Sequence, residues 1–325
     1  MFDILYYLYK NQFEKEQKVI EIGNIMLKFE KEQKVVEIGN VKIGGQPGEN
    51  PIVLIGSVFY KNHKALLDEK AGRIDKNIVE QELNEFLTII EETGMQAIID
   101  VVGAHPEALI KQCEYIADVV DCPFLVDGLN DSIRIPAMEG LKEIGLLARA
   151  ILNSIDDNTS DENLDKLKNI GVRNAVLLAF GNRYIFPEQK LKLLNEKLIP
   201  MSQKAQIENI IVDAAVLDLP SICINVETTR LVKSELGLPT GFAPSNAIYG
   251  WEFVKKFGIS SRCGAIASLM TYCADAGSDF ILFGGVKYAK CVVPSIALIS
   301  GINSYYRKRI LREKISEKTP MKLIF

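Results

Sequence analysis

Histidine is nearly missing from this chain: His63 and His105 are the only two in 325 residues, beside a single tryptophan. With so few imidazoles, a structural zinc site is not expected, and no protein-bound metal is predicted. Six cysteines stand at 113, 122, 223, 263, 273 and 291 without one C-x-x-C pair. Reduced thiols buried in a cytoplasmic protein are the expectation. No Ser or Cys elbow surrounds either histidine, so a nucleophile–His pair has no support. No G-x-G-x-x-G follows the first strand pattern, which counts against a dinucleotide fold. No apolar run reaches the ~18 residues that cross a bilayer. The opening Met1-Phe-Asp-Ile-Leu-Tyr-Tyr-Leu-Tyr9 carries an acid where a signal peptide would be basic. Basic excess is lacking too: the net charge is −4. Nucleic acid is therefore not an expected partner. The basic stretch Arg307-Lys-Arg-Ile-Leu-Arg reads as the solvated face of a last helix. A cytoplasmic protein follows, with peripheral attachment to a membrane complex left open.

What is present is a set of short apolar runs that end on Asp or Asn. Asp100 closes Ala97-Ile-Ile-Asp100, and Asp127 closes Pro123-Phe-Leu-Val-Asp127. Asn153 closes Ala150-Ile-Leu-Asn153, and Asp213 closes Asn209-Ile-Ile-Val-Asp213. Asn246 ends Thr240-Gly-Phe-Ala-Pro-Ser-Asn246. Eight apolar runs are predicted as strands, near 52–55, 97–101, 124–127, 149–154, 175–179, 210–213, 240–242 and 280–283. Each precedes a helical stretch, near 76–93, 106–120, 132–144, 161–170, 187–208, 221–236, 247–257 with a second near 263–276, and 292–312. Runs of this length suit buried parallel strands. Eight such units favour a single (β/α)8 TIM barrel over an open sheet. Polar strand ends then line the C-terminal mouth, where barrel enzymes keep their sites.

The N-terminus holds a duplication. Phe13-Glu-Lys-Glu-Gln-Lys-Val-Ile-Glu-Ile-Gly-Asn24 recurs as Phe29-Glu-Lys-Glu-Gln-Lys-Val-Val-Glu-Ile-Gly-Asn40, identical at 11 of 12 positions. Residues 1–28 read as an appendage, and 29–325 as the barrel. Val35-Val-Glu-Ile and Val41-Lys-Ile-Gly around Gly39-Asn40 predict a β-hairpin extension able to plug the barrel bottom.

The chemistry of the strand ends is acceptor-rich. Ionised carboxylates only accept, so Asp100 and Asp213 match the N–H donors of a 2-aminopyrimidine edge. Asn246 offers donor and acceptor and can follow a nitrogen that gains a proton, though it or Ser245 could instead cap the next helix. Asp127-Gly-Leu-Asn130 and Asn153-Ser-Ile-Asp156 could each be loop capping. Gly284-Gly285 could cradle a phosphate or only give clearance. Arg134, beside Asp131, reads as a surface charge rather than an anion clamp. His105 before Pro106 reads as a helix lead-in.

Gly44-Gly-Gln-Pro-Gly-Glu-Asn-Pro-Ile-Val-Leu-Ile-Gly-Ser-Val-Phe-Tyr60 is the most specific block in the chain. With Asp100-Val-Val-Gly-Ala-His-Pro-Glu-Ala108, the stretch 117–127, Asn153-Ser-Ile and Asp279-Phe-Ile-Leu-Phe-Gly-Gly285, it resembles the tetrahydromethanopterin S-methyltransferase H-subunit family and its relatives. The resemblance spans about residues 29–305. It implies the pterin-dependent methyltransferase barrel and methyl transfer between N5 of a tetrahydropterin and the cobalt of a corrinoid on a partner protein. It implies that Asp100, Asp127 and Asp213 hold the pyrimidine edge and that Asn153 lies beside it. Asn246, in its pair with Ser245, would hydrogen-bond N5. A homodimer is expected. Asp127-Gly-Leu-Asn130 departs from the Asp-Ser-Thr-Ser of the methanogenic subunits, and Asp218-Leu-Pro-Ser-Ile222, where those carry a Gly-rich stretch, looks more like stand-alone relatives, so tetrahydrofolate stands as the alternative methyl carrier. A dihydropteroate synthase-like barrel and a non-catalytic protein that docks a corrinoid protein are the other readings. The former lacks clear late-strand Lys and Arg signals.

Overall fold

The structure is a computed structural model that describes residues 28–315 and 318–325. The first repeat copy, 13–24, and its Tyr-rich lead-in lie outside the described residues. The second copy enters β1 (Val35–Ile38), which pairs antiparallel with β2 (Val41–Gly44), Ile38 opposite Val41. Gly39 takes a positive φ at the turn, where glycine carries no Cβ penalty. The predicted hairpin is present with its predicted bounds.

Next come β3 (Val53–Val58) and a short antiparallel pair, β4 (Leu66–Asp68) with β5 (Arg73–Ile74), which the apolar pattern is too short to reveal. Then follow β6 (Gln96–Gly103), β7 (Phe124–Gly128), β8 (Ala150–Ile155), β9 (Asn174–Leu178), β10 (Asn209–Asp213), β11 (Thr240–Phe242) and β12 (Phe280–Gly285). The eight strands from β3 through β6 to β12 pair in parallel and close, β12 against β3. This is the expected TIM barrel. Helices return the chain between strands, as parallel pairing demands. Lys76–Thr93 is representative. Asp75 accepts from the N–H groups of Asn77 and Ile78 at its start. Val79, Leu83, Phe86 and Ile90 make its buried stripe, and Gly94 ends it in the left-handed region.

Two predicted helices are interrupted. The stretch 187–208 runs as Pro187–Leu193, a π-turn and Ile199–Lys204. The stretch 247–257 splits into Ser245–Ile248 and the 3-10 turn Glu252–Phe257, separated by Gly250. Arg307 is also not solvated. It is buried and ion-paired with Glu313.

Period-2 alternation sorts each strand. Ile55, Ile98, Leu125, Ile151, Val176, Ile211 and Phe280 point into the barrel, where Ile38, Val41 and Ile43 of the hairpin join them. The intervening residues face the helices. Gln96, the first residue of β6, holds the hairpin from both sides: its Oε1 accepts from the Lys42 N–H at 2.7 Å and its Nε2 donates to the Lys42 carbonyl at 2.9 Å. The hairpin therefore closes the N-terminal end of the barrel.

A buried ion pair fastens the same end. Lys233, in the last turn of Ile222–Leu236, donates to Asp279 Oδ2 at 2.6 Å and to the Gly45 carbonyl at 3.1 Å. Asp279 Oδ2 also accepts from the Thr240 N–H. One ammonium thus joins a helix, the hairpin exit and the approach to β12. Replacing Ile43, fully buried in the plug, by alanine should cost ~2–5 kcal/mol. Urea unfolding checks this; a loss below ~1 kcal/mol would mean the hairpin is not part of the core.

Candidate active site

The residue two places beyond each inward apolar side chain also points inward, at the C-terminal mouth. That step carries Ile55 to Ser57, Ile98 to Asp100, Leu125 to Asp127, Ile151 to Asn153, and Ile211 to Asp213. On β9 the same step gives Leu178. Register holds neighbours side by side: Ser57 with Asp100, Asp127 with Asn153, Leu178 with Asp213. Four of the six predicted site residues therefore share one ring.

The ring is short of protein partners. Ser57 donates its hydroxyl to Asp100 Oδ2 at 2.6 Å, while Asp100 Oδ1 is buried with no partner. Asp213 accepts from the Ala215 N–H at 2.7 Å. Burial pushes the Asp100 carboxyl up to about 6, against the pull of Ser57. Burial likewise pushes Asp213 to about 6, opposed by the Ala215 N–H and the Lys190 charge. Asp127 is raised well above the usual carboxylate range. Desolvation dominates, Asp100 and Asp213 repel its charge, and Arg134 opposes them. Acceptors held this way suit a ligand that brings N–H donors.

Two cations stand behind the carboxylates, and the letters alone indicated neither role. Arg134 is buried rather than on the surface. It donates to Asp131 at 2.7 Å, to Asp156 at 3.3 Å and to Ser154 Oγ at 3.3 Å. Lys190, in the helix after β9, donates to the carbonyls of Ala214 and Ala215 just past β10. Burial lowers its ammonium to about 8, and Asp213 works against that shift. Lysines are common in that stretch, so nothing in the letters singled it out.

The remaining candidates lie apart from this ring. Ser245 is buried and donates to the Leu282 carbonyl of β12 at 3.0 Å. Asn246 is exposed on Ser245–Ile248, beyond β11 on the mouth side. Its side chain does not cap that helix, whose N-cap is Pro244. Asn130 does cap: it accepts from the Ser132 N–H, leaving Asp127 to the mouth. Gly284 and Gly285 fit the clearance reading. A Cβ at Gly284 would stand 2.4 Å from the Tyr249 ring, and one at Gly285 would stand 2.6 Å from the Tyr60 hydroxyl. His63 is buried, accepting from the Phe59 N–H and bonded through Nε2 to Glu82 at 2.9 Å. His105 is the N-cap position of Pro106–Val119, a lead-in as expected.

The cysteines depart from expectation. Cys263 and Cys291 form a disulfide between two helices that begin at the mouth, and Cys223 is exposed. Cys113, Cys122 and Cys273 are buried free thiols, as predicted. Spacing cannot reveal a bridge between residues 28 apart. No group of His, Cys, Asp and Glu suited to a metal occurs among the described residues, and none of their helices is long and apolar enough to cross a membrane.

Several segments that follow the C-terminal ends of barrel strands carry exposed apolar side chains: Leu67, Leu129 (88% exposed), Phe186, Leu217, and Phe253 against Phe257. Exposed apolar surface of this kind suits contact with another molecule.

The family model described as "Tetrahydromethanopterin S-methyltransferase MtrH subunit" matches residues 31–315. The chain belongs to this family. The MtrH family relatives include the tetrahydromethanopterin S-methyltransferase H subunit from Methanopyrus kandleri, 31% identical over 89% of this chain and 91% of that one. The corresponding H subunit from Methanothermobacter marburgensis is also 31% identical, over 96% and 99% respectively. Among solved structures, dihydropteroate synthase from Xanthomonas albilineans in complex with 7,8-dihydropteroate superposes with a TM-score of 0.54. It is 16% identical and covers 82% of this MtrH family chain and 98% of its own. The Yersinia pestis enzyme gives 0.56 at 13% identity, over 83% and 100%. At these identities the likeness shows the fold alone, and it agrees with the TIM barrel described above.

Raised carboxyls have a cost in stability. A carboxyl that binds its proton more tightly when folded contributes stability below its unfolded value. That contribution is lost as pH rises through the folded value, here about 6 for Asp100. Asp100→Asn removes the buried charge and should stabilise the chain by up to about 3 kcal/mol at pH 8. The gain should vanish near pH 4. Thermal melts at both pH values check it, and a pH-independent gain would overturn the burial argument.

Proposed function

We propose that this MtrH family member moves a methyl group between N5 of a tetrahydropterin and the cobalt of a corrinoid held on a partner protein. Tetrahydromethanopterin is favoured as the carrier, with tetrahydrofolate the alternative. The observation that carries the reading is the ring of desolvated, under-partnered Asp100, Asp127 and Asp213 in a family named for a pterin methyltransferase.

The roles follow from hydrogen-bond chemistry. Asp100, Asp127 and Asp213 would accept from the amino and ring N–H groups of the pterin, with Asn153 beside them. An amine leaves poorly as an anion, so N5 must be protonated or strongly hydrogen-bonded when the methyl departs. Asn246 is the residue assigned to that position. Ser245, tied to the Leu282 carbonyl, holds the Ser-Asn segment against β12. The corrinoid, when its carrier is bound, supplies the methyl acceptor or donor. The barrel contributes alignment and charge stabilisation. The exposed apolar side chains beyond the strand ends support docking of a protein over the mouth. A dihydropteroate synthase-like reaction would need a cation to receive pyrophosphate near the pterin. Arg134 and Lys190, the cations directly behind the ring, are both already bound by protein oxygens, so neither is placed to receive it.

Two measurements test the reading. Methyl-tetrahydromethanopterin or methyl-tetrahydrofolate, added with free cobalt(I) cobalamin, should give methylcobalamin by absorbance. Pterin binding without transfer would indicate dependence on the carrier protein or a docking role, and absence of binding would refute the site. Asn246→Ala should lower turnover by about 10²–10³ with little change in pterin affinity. Full activity in that variant would remove Asn246 from the mechanism.

A pH dependence accompanies this. As pH falls through about 6, Asp100 and Asp213 take up protons and lose acceptor capacity. Pterin affinity should therefore drop below pH 6, and binding near pH 6 should release protons. Calorimetry in buffers of different ionisation enthalpy measures the release; a proton-neutral, pH-flat association would contradict it.

A further inference from the structure

A cleft of about 410 Å³ opens on the loops after β8 and β9, outside the carboxylate ring. Its volume falls in the range of small-molecule sites, roughly 300–1,000 Å³. The cleft adjoins the ring on two sides. Leu178 lines it, and Leu178 is register-paired with Asp213. Asp156 lines it too, and Asp156 is held by Arg134, whose charge acts on Asp127. A ligand seated on the carboxylates therefore has a lined path outward along this arc.

The lining has an uneven charge balance. Asp156 is taken by Arg134, and Asp157 accepts from Lys197. Arg183 lines the same cleft, is exposed, and has no ion pair or hydrogen bond among the described residues. Two aromatic side chains, Phe180 and Tyr184, stand beside it, each partly exposed. A planar ring beside aromatic faces, followed by an anion at a free guanidinium, is the chemistry this arrangement recognises.

Tetrahydropterin carriers have that form: a pterin, then an arylamine arm, then an acidic end. We propose that the β8–β9 cleft binds the arm of the methyl carrier, with Phe180 and Tyr184 against its aromatic ring and Arg183 on its anionic end. The inference rests on the pterin reading and adds the part of the substrate that reading leaves unplaced. It makes Arg183 a specificity residue that discriminates carriers by their arms, and it assigns no part of the methyl transfer to this cleft.

The test separates the two claims. Binding of 6-methyl-tetrahydropterin, which has the pterin but no arm, is compared with binding of tetrahydrofolate and tetrahydromethanopterin. The wild-type chain should bind an armed carrier more tightly than the bare pterin. Arg183→Ala should reduce that advantage about tenfold, the scale of one charge-assisted contact. It should leave bare-pterin affinity unchanged. Arg183→Lys should keep part of the advantage, and Phe180→Ala should lose part of it. Because Arg183 is exposed, raising salt should erode the wild-type advantage and leave the Arg183→Ala value flat. If the bare pterin binds but the armed carriers gain nothing, or the gain survives Arg183→Ala, the arm site is wrong while the pterin site stands. If no carrier binds, bare or armed, both fall together.

Discussion

Desolvation of three carboxylates at one end of a barrel is the constraint around which this structure is built. Charges taken out of water are expensive, and like charges add to that cost. Asp100, Asp127 and Asp213 stay because each is fixed to a strand whose neighbours on both sides are hydrogen-bonded. They cannot turn outward without breaking the period-2 register. Arg134 and Lys190 soften the repulsion from behind without entering the ring. Folding therefore stores an unmet demand for donors at the mouth. The counterweight lies at the opposite end, in the dry hairpin plug and the Lys233–Asp279 pair.

The strand-end polar residues were legible because alternation and chain order are both written in the letters. Ile98 then Asp100, Leu125 then Asp127 and Ile211 then Asp213 are two-residue steps, and parallel register places them at one height. The hairpin was legible for the same reason, with Gly39-Asn40 at its turn. Arg134 was misread because an Asp131–Arg134 spacing looks the same on a solvated helix and on one pressed against a barrel. Lys190 and Arg183 were not singled out because each depends on loops that come together only in three dimensions. The break between Ser245–Ile248 and Glu252–Phe257 defeated a pattern that continues across Gly250. The Cys263–Cys291 bridge joins separate helices, a relation sequence spacing does not encode.

Family and fold answer different questions here. About 31% identity over nearly the whole chain places the protein in the MtrH family. Dihydropteroate synthases at 13–16% identity share its barrel and nothing further is taken from them. The chemistry has to come from the site, and the site is dominated by acceptors. A barrel with this mouth offers acceptors before any loop is considered, while the loops after β8, β9 and β11 would choose the other end of a ligand and its neighbours.

The hairpin plug has a consequence for traffic. With Ile38, Val41 and Ile43 at the N-terminal end and the inward layer of Ile55, Ile98, Leu125, Ile151, Val176, Ile211 and Phe280 above them, the barrel interior is filled and open at one end only. A small molecule at the carboxylates arrives and departs through the same opening between the loops. Any macromolecule resting on Leu129, Phe186 or Phe253 covers that opening from outside. Such a guest would act as a stopper: the small molecule must already be seated before it arrives, and must wait for it to leave. A filled interior would in that way set the order of encounters at the mouth.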